Sequence, residues 1–113
     1  MSSSPEPWDF LPLTTLSLSM LLALGDGPLH GYAVLKTVER ESGGRTRPGA
    51  GSLYAALDRM VADGLIEESG PAPDEDQRRR YFGLTGLGRR VVRAEMARLT
   101  EVLAVASGKG LTP

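Results

Sequence analysis

The chain contains no cysteine and only one histidine among its 113 residues. The absence of cysteine excludes a disulfide scaffold, a thiolate nucleophile and a cysteine-based zinc site. His30 has no second histidine with which to form a metal site, so we expect a structural role at a helix start. The sequence also lacks a phosphate-cradling glycine loop and a nucleophile elbow. We therefore expect no enzymatic activity, no cofactor and no metal, and a cysteine-free chain fits the cytoplasmic location that we predict.

Long apolar runs are also lacking. The longest stretch, residues 11–24, is too short for a membrane span and is interrupted by threonine and serine. Because Glu6 and Asp9 precede it, it lacks the basic flank of a signal peptide. We expect no membrane association, and a chain of this length predicts one domain without a separate catalytic or sensor domain.

Excess charge of either sign is nearly absent, since the formal net charge is −1. Its distribution is uneven: residues 1–44 hold two basic and five acidic side chains, whereas residues 45–98 hold ten arginines against eight acids. The arginines cluster at residues 45–47, 78–80 and 89–93. Charge alone leaves two interpretations open, namely solvated arginines covering a helix or a basic face for nucleic acid.

Hydrophobic periodicity predicts three helices, a β-hairpin and a long last helix. Pro12 suits the first turn of the first helix, and Gly64 and Thr85 are expected to cap the third helix and the last one. This order indicates a mainly α fold with a small β-hairpin, the winged helix-turn-helix with a long C-terminal dimerisation helix. We predict a partly packed N-terminal tail at residues 1–12 and a winged helix-turn-helix DNA-binding domain at 13–85. The C-terminal dimerisation helix follows at 86–107, and a flexible tail at 108–113.

Three sequence blocks resemble the PadR family of transcriptional regulators. They are PLHGY at residues 28–32, GSLYAAL at 51–57 continuing to 64–66, and RRYFGLT at 79–85 with Gly88 and Arg89 after it. The resemblance implies a dimeric repressor that responds to phenolic acids, drugs or other small aromatic compounds. The single last helix is similar to that of the smaller family members.

The chain departs from the family pattern at two places. Asp74, Glu75 and Asp76 make the expected wing tip acidic, which puts a phosphate contact there in doubt. They lack the spacing of a calcium loop, so a solvated turn is the preferred interpretation over a cation site. Residues 86–87 are Gly-Leu where the family usually has acidic residues, which weakens the cap of the last helix by about a few tenths of a kcal/mol.

The candidate DNA contacts lie on the second and third helices and at the base of the wing. Tyr54 can donate its hydroxyl to a phosphate or pack against the wing, and Arg59 can face DNA or pair with Asp63. A slim, glycine-rich start would let the third helix approach DNA closely. The predicted DNA-binding residues are Tyr32, Lys36, Arg47, Gly51, Ser52, Tyr54, Arg59, Arg78, Arg79 and Arg80.

The last helix carries apolar residues at heptad spacing, with a second stripe at Leu87, Val91, Val102 and Val105. One small domain cannot bury both stripes, so we predict a homodimer. The predicted dimerisation residues are Trp8, Leu13, Leu16, Val92, Met96, Leu99 and Leu103. Trp8, Phe10 and Met96 are candidate contacts for an aromatic effector.

These observations predict a sequence-specific DNA-binding regulator, a repressor that a small aromatic or drug-like effector releases from its operator. Its expected partners are double-stranded DNA, a second copy of itself and a candidate small-molecule effector. The alternative function is a winged helix that makes only protein–protein contacts. Loss of DNA binding with rising salt would distinguish the two.

Overall fold

The structure is a computed structural model that describes residues 5–70 and 78–113. Four α-helices form most of the described chain, together with three short strands and two 3-10 turns. The helices are α1 Thr15–Ala23, α2 Gly31–Glu41, α3 Ala50–Ala62 and α4 Gly86–Gly108. The strands are β1 Leu29–His30, β2 Ile66–Ser69 and β3 Tyr81–Leu84, and the 3-10 turns are Pro7–Phe10 and Leu24–Asp26.

Side-chain caps set the starts of three helices, with Thr14 for α1, His30 for α2 and Thr85 for α4. Thr14 accepts the backbone N–H of Ser17 at 3.1 Å, and Thr85 accepts that of Gly88 at 3.0 Å. Each bond satisfies a backbone donor that has no partner within the helix. The predicted start of α1 at Pro12 is therefore wrong: the cap at Thr14 moves the start to Thr15.

Gly64 lies just beyond the C-terminal end of α3 and forms its cap, as predicted. Its φ of 79° lies in the left-handed region that glycine adopts without strain. The backbone N–H of Leu65 then bonds to the carbonyl of Met60 at 3.0 Å, which closes the end of the helix. This turn directs the chain straight into β2.

The sheet has three antiparallel strands in the order β1-β3-β2, so the predicted two-stranded hairpin is incomplete. The added strand β1 pairs Leu29 with Phe82 and His30 with Tyr81. Residue 30 therefore belongs to a strand, and α2 begins at the next residue, Gly31. The pairing joins the start of α2 directly to the wing.

The core lies between α1, α2, α3 and the inner face of the sheet. Its side chains are apolar and nearly inaccessible, and α4 contributes only Val91 to this buried set. The largest of them are Met20, Leu21, Leu24, Val34, Val38, Leu53, Leu57, Ile66 and Phe82. The start of α4 lies very close to the backbone just before β2. A Cβ on Gly88 would overlap the carbonyl oxygen of Leu65, so only glycine fits at position 88.

The N-terminal 3-10 turn packs against α4. Phe10 contacts the core, whereas Trp8 is 65% exposed. Leu13 and Leu16, expected at a dimer surface, are half-buried against the protein's own core.

Burial along α4 changes with position along the helix rather than between two stripes. Val91 is buried and Val92 packs partly on the core, whereas Leu99, Val102, Leu103 and Val105 are all exposed. Neither of the two predicted stripes is therefore buried along its whole length. Within the residues described, no helix is both long and apolar enough to cross a membrane.

Candidate nucleic-acid interface

An open cleft of about 260 Å³ lies where the start of α2, the exposed side of α3 and the residues before β3 meet. Both predicted tyrosines and all three arginines of the predicted wing base contribute to its wall. Its lining residues are His30, Gly31, Tyr32, Tyr54, Arg78, Arg79 and Arg80. The fold thus brings together five of the predicted DNA contacts that lie far apart in sequence.

Tyr54 lies directly on the backbone of Gly31. A Cβ at Gly31 would come within 2.5 Å of the tyrosine hydroxyl oxygen and 2.7 Å of the ring, so a larger residue there would displace the ring. Tyr54 therefore packs on the start of α2, whereas the sequence suggested the wing as the alternative to a DNA contact. Its side chain stays 41% exposed.

His30 has the structural role that we predicted. Its Nδ1 accepts the backbone N–H of Ala33 at 3.2 Å, which caps α2. Its ring meets that of Tyr81 edge-on, with centroids 5.5 Å apart, and its Nε2 lies 2.6 Å from Nη1 of Arg79. These contacts place the Arg79 guanidinium over the start of α2.

The guanidinium group of Arg80 forms ion pairs with two carboxylates. Its Nε donates to Glu68 on β2 at 2.5 Å, and its Nη2 donates to Asp58 on α3 at 3.4 Å. The hydrogen bond to Glu68 is the main reason that the pKa of Arg80 is raised above its ordinary value. Its guanidinium also lies 5.2 Å from the ring centroid of Phe82. Arg80 thus links the wing to α3, and a phosphate would have to compete with both acids.

Lys36 projects from the exposed side of α2, one turn after Tyr32. Its Nζ lies 5.4 Å from the ring centroid of Tyr32 and 3.6 Å from a carboxylate oxygen of Glu39. The ammonium group is half exposed, so an incoming phosphate can reach it. Glu39 is the group that such a phosphate would displace.

The other predicted contacts lie along α3 and in the loop before it. Arg47 and Ser52 line a second open groove at the start of the helix, together with Arg45, Thr46 and Gly49. Arg47 donates from Nε to the carbonyl of Gly44 at 3.0 Å. Gly49 caps α3 without a side chain, which leaves the first backbone N–H groups without a side-chain acceptor. Gly51 is exposed in the first turn and Arg59 in the last.

The expected acidic wing tip, Asp74, Glu75 and Asp76, lies outside the residues that the structure describes. Met96, a candidate for both dimer and effector contacts, is half-buried on α4. Among the described residues, no group of three acidic or histidine side chains is placed to hold a metal ion.

The acidic partners of the arginines were not predicted from the sequence. Asp58 and Glu68 both pair with Arg80 and hold its side chain in place. Glu95, in the predicted last helix, is 1% exposed and binds both Arg98 and the backbone of Leu13. Its position three and four residues from apolar neighbours, Val92, Val91 and Leu99, was the available signal for burial.

Three helices followed by a β-sheet wing and a long helix define a winged helix-turn-helix protein. The family model of the transcriptional regulator PadR-like family matches residues 20–94. That match spans more than half of the chain, so the chain belongs to the PadR-like family of transcriptional regulators.

The chain is also similar to one sequence relative and to several solved structures. An uncharacterized 37.1 kDa protein in transposon TN4556 of Streptomyces fradiae is 45% identical over 84 residues, which cover 72% of this chain and 23% of that protein. A PadR family transcription regulator from Clostridium difficile R20291 has the same fold, with a TM-score of 0.70, 20% identity, and coverage of 84% of this chain and 97% of that one. Bacillus subtilis PadR, solved in complex with operator DNA, matches with a TM-score of 0.63 and 19% sequence identity. The match covers 74% of this chain and 47% of that chain.

Proposed function

We propose that this chain is a sequence-specific DNA-binding repressor that acts as a homodimer. The observation that carries the proposal is the cleft in which Tyr32, Tyr54, Arg78 and Arg79 meet beside α3. Cationic and hydroxyl groups of this kind hold DNA phosphates and fix the register of a neighbouring helix. The Bacillus subtilis neighbour, whose printed description includes operator DNA, supports the same kind of partner.

In this proposal α3 enters the major groove and the cleft binds the phosphate backbone beside it. The slim start of α3, with Gly49, Gly51 and Ser52 all exposed, can approach base edges closely. Arg78 and Arg79 supply charge from the wing base, while Arg47 supplies it from the loop before α3. Arg80 is already paired with Asp58 and Glu68, so we assign it the task of holding the wing against α3.

The exposed apolar end of α4 supports the homodimer. Leu99 is 37% exposed and Leu103 is 55% exposed, although apolar side chains of this size gain free energy from burial. Trp8, on the turn that packs against α4, adds a large exposed ring. Val92, Met96, Leu13 and Leu16 are partly buried already, and in this proposal they border the contact rather than form its centre.

For release from the operator, we propose a small aromatic or drug-like effector bound between the N-terminal turn and α4. Trp8, Phe10 and Met96 are the proposed contacts. The packing of this turn against α4 supports the placement. A ligand held there would change the position of α4 and so the spacing of two recognition helices.

Genomic footprinting followed by a shift assay across salt concentration tests the proposed function. We expect a roughly palindromic site, with affinity that falls steeply as salt rises. Arg79→Glu should abolish the shift, whereas Lys109→Glu, the same charge change at the far end of α4, should preserve it. A protein that shifts no genomic fragment even at low salt would instead support the protein–protein module.

A further inference from the structure

The open groove at the start of α3, called the loop groove from here on, has a volume of about 490 Å³. Its walls come from the start of α1, from the loop after α2 and from the first turn of α3. The lining residues are Thr15, Leu16, Arg45, Thr46, Arg47, Pro48, Gly49 and Ser52. Arg47 and Ser52 are predicted DNA contacts, whereas Arg45 has no role in the interface so far.

The loop that carries both arginines is held by its own hydrogen bonds. Ser42 Oγ accepts the backbone N–H of Thr46 at 2.9 Å and donates to the carbonyl of Glu39 at 3.1 Å. Arg47 Nε donates to the carbonyl of Gly44 at 3.0 Å. The Arg47 guanidinium also lies close over Gly44, where a Cβ would come within 3.3 Å of Nη2. A loop that is already ordered loses less conformational entropy when it binds a partner.

The loop groove is cationic and has no counter-charge of its own. Across residues 5–70 and 78–113, neither Arg45 nor Arg47 forms an ion pair with a carboxylate, and the groove has no acidic lining residue. Arg80 and Arg98 differ, because each has an acidic partner. Two guanidinium groups without carboxylates favour an anion that offers several oxygen acceptors, such as a phosphate of a nucleic-acid backbone.

The loop groove and the cleft at the wing base lie at opposite ends of α2. The cleft contains Tyr32 at the start of that helix, whereas Arg45 lies just beyond its end. The 11 residues of α2 span about 16 Å at the rise of an α-helix. Each site also contains an exposed residue of α3, either Tyr54 or Ser52. Because the major groove of B-DNA is about 12 Å wide, two sites at this spacing can reach the two strands that border it.

We propose that the loop groove binds the phosphate backbone of one DNA strand while the cleft at the wing base binds the other strand. The inference rests on the proposed function and adds a second strand contact to it. Arg45 and Arg47 bind the phosphate oxygens, and α3 lies in the major groove between the two contacts. Phosphate contacts carry no base information, so the loop groove sets the position of α3 rather than the choice of bases.

Ethylation interference on the footprinted operator tests this assignment, because an ethyl group on a bound phosphate blocks the contact. We expect wild type to show two groups of sensitive phosphates in each half-site, one group on each strand. Arg45→Ala should remove the sensitivity of one group, and Arg79→Ala that of the other. The inference is wrong if both variants lose the same phosphates, or if the sensitive phosphates of a half-site lie on one strand only.

Fluorescence anisotropy across salt concentration gives a second measurement. Arg45→Ala should weaken operator binding about tenfold and flatten the plot of log affinity against log salt by about one unit. Arg40→Ala, an exposed arginine near the end of α2 but outside the groove lining, should change neither quantity, and circular dichroism checks that both variants are folded. Equal effects of the two substitutions would contradict a defined site. Wild-type behaviour of Arg45→Ala would remove the loop groove alone from the interface, whereas absence of binding by the wild type would overturn the proposed function and this inference with it.

Discussion

The carboxylate of Glu95 accepts the backbone N–H of Leu13 at 2.8 Å, across 82 positions of sequence. The same carboxylate accepts a hydrogen bond from Nε of Arg98 at 2.5 Å, and the Glu95 residue is 1% exposed. These bonds compensate a buried charge that would otherwise be costly. They also fix the segment between the N-terminal turn and α1 against the last helix.

Removal of this carboxylate should destabilise the fold. Glu95→Ala leaves the Leu13 N–H without its acceptor in a partly buried place, so we expect the free energy of unfolding to fall by about 1–3 kcal/mol. Urea unfolding followed by far-UV circular dichroism measures the change. Glu101→Ala, at an exposed position on the same helix, should change stability by no more than about 0.5 kcal/mol. Equal effects of the two substitutions would contradict the role assigned to Glu95.

The same contact predicts an acid-dependent loss of stability. The hydrogen bond from Arg98, aided by that from Leu13, lowers the pKa of Glu95 below its ordinary value of 4.5, against the opposing effect of desolvation. A carboxyl whose pKa is lower in the folded state contributes stability above its unfolded pKa and loses it as the pH falls through the folded pKa. Wild type should therefore lose more stability than Glu95→Gln between neutral pH and values below 4.5. Thermal unfolding of both proteins across this range checks the difference, and parallel pH curves would argue against it.

The packing of Tyr54 on Gly31 predicts a coupled pair. Gly31→Ala places a methyl carbon 2.5–2.7 Å from the hydroxyl oxygen and the nearest ring carbons of Tyr54, so we expect a loss of about 1–3 kcal/mol from overpacking. In the Tyr54→Ala background the same change should cost little, which a double-mutant cycle from denaturant unfolding would measure. Gly51→Ala is the matched control, because a Cβ there meets nothing within 4 Å. Additive effects of the two substitutions would show that the contact has no energetic consequence.

Lys36 should affect DNA binding through charge. Lys36→Ala removes one proposed phosphate contact, so we expect it to weaken DNA binding and to flatten the plot of log affinity against log salt by about one unit. Glu39→Gln should have the opposite effect on affinity, because it releases Lys36 from its neighbour at 3.6 Å. Fluorescence anisotropy with the footprinted site provides both quantities. An unchanged slope for Lys36→Ala would remove this residue from the interface.

Assembly should depend on the exposed end of α4. Leu99→Asp puts a charge among the side chains that we propose to bury, so the variant should sediment as a monomer at micromolar concentration and lose DNA binding. Leu111→Asp, the same change at a residue that is 73% exposed beyond α4, should remain dimeric. Far-UV circular dichroism separates dissociation from unfolding. A folded, dimeric Leu99→Asp protein would mean that the joint lies elsewhere.

The sequence predicted those parts of the fold that repeat over several residues. Alternation and helical periodicity identified four helices and two strands, and Gly64 and Thr85 identified two of the caps. Strand β1 was missed because two residues, Leu29 and His30, are too few to show a period of two. It forms only because β3 offers a free edge, which is a property of the tertiary structure.

The sequence predicted which residues lie in the candidate site, but it did not predict which side chains contact each other there. Motif blocks supplied Tyr32, Tyr54, Arg79 and Arg80, and the arginine cluster supplied Arg78. The fold brings these five residues to one cleft. Sequence alone could not separate Arg80 from Arg79, although one is bound by two acids and the other lies on His30. Which arginine faces an acid depends on the distance between β2, β3 and α3 rather than on spacing along the chain.

The emergence of α4 from the core gives the helix the geometry of a lever. Its last buried residue is Glu95, and it continues to Gly108 with exposed apolar side chains, a length of about 20 Å at the rise of an α-helix. A tilt of about 10° at the root would carry the far end through roughly 3.5 Å over that length. Small displacements around Val92 and Glu95, where the helix meets the core and the N-terminal segment, would thus be amplified at the far end.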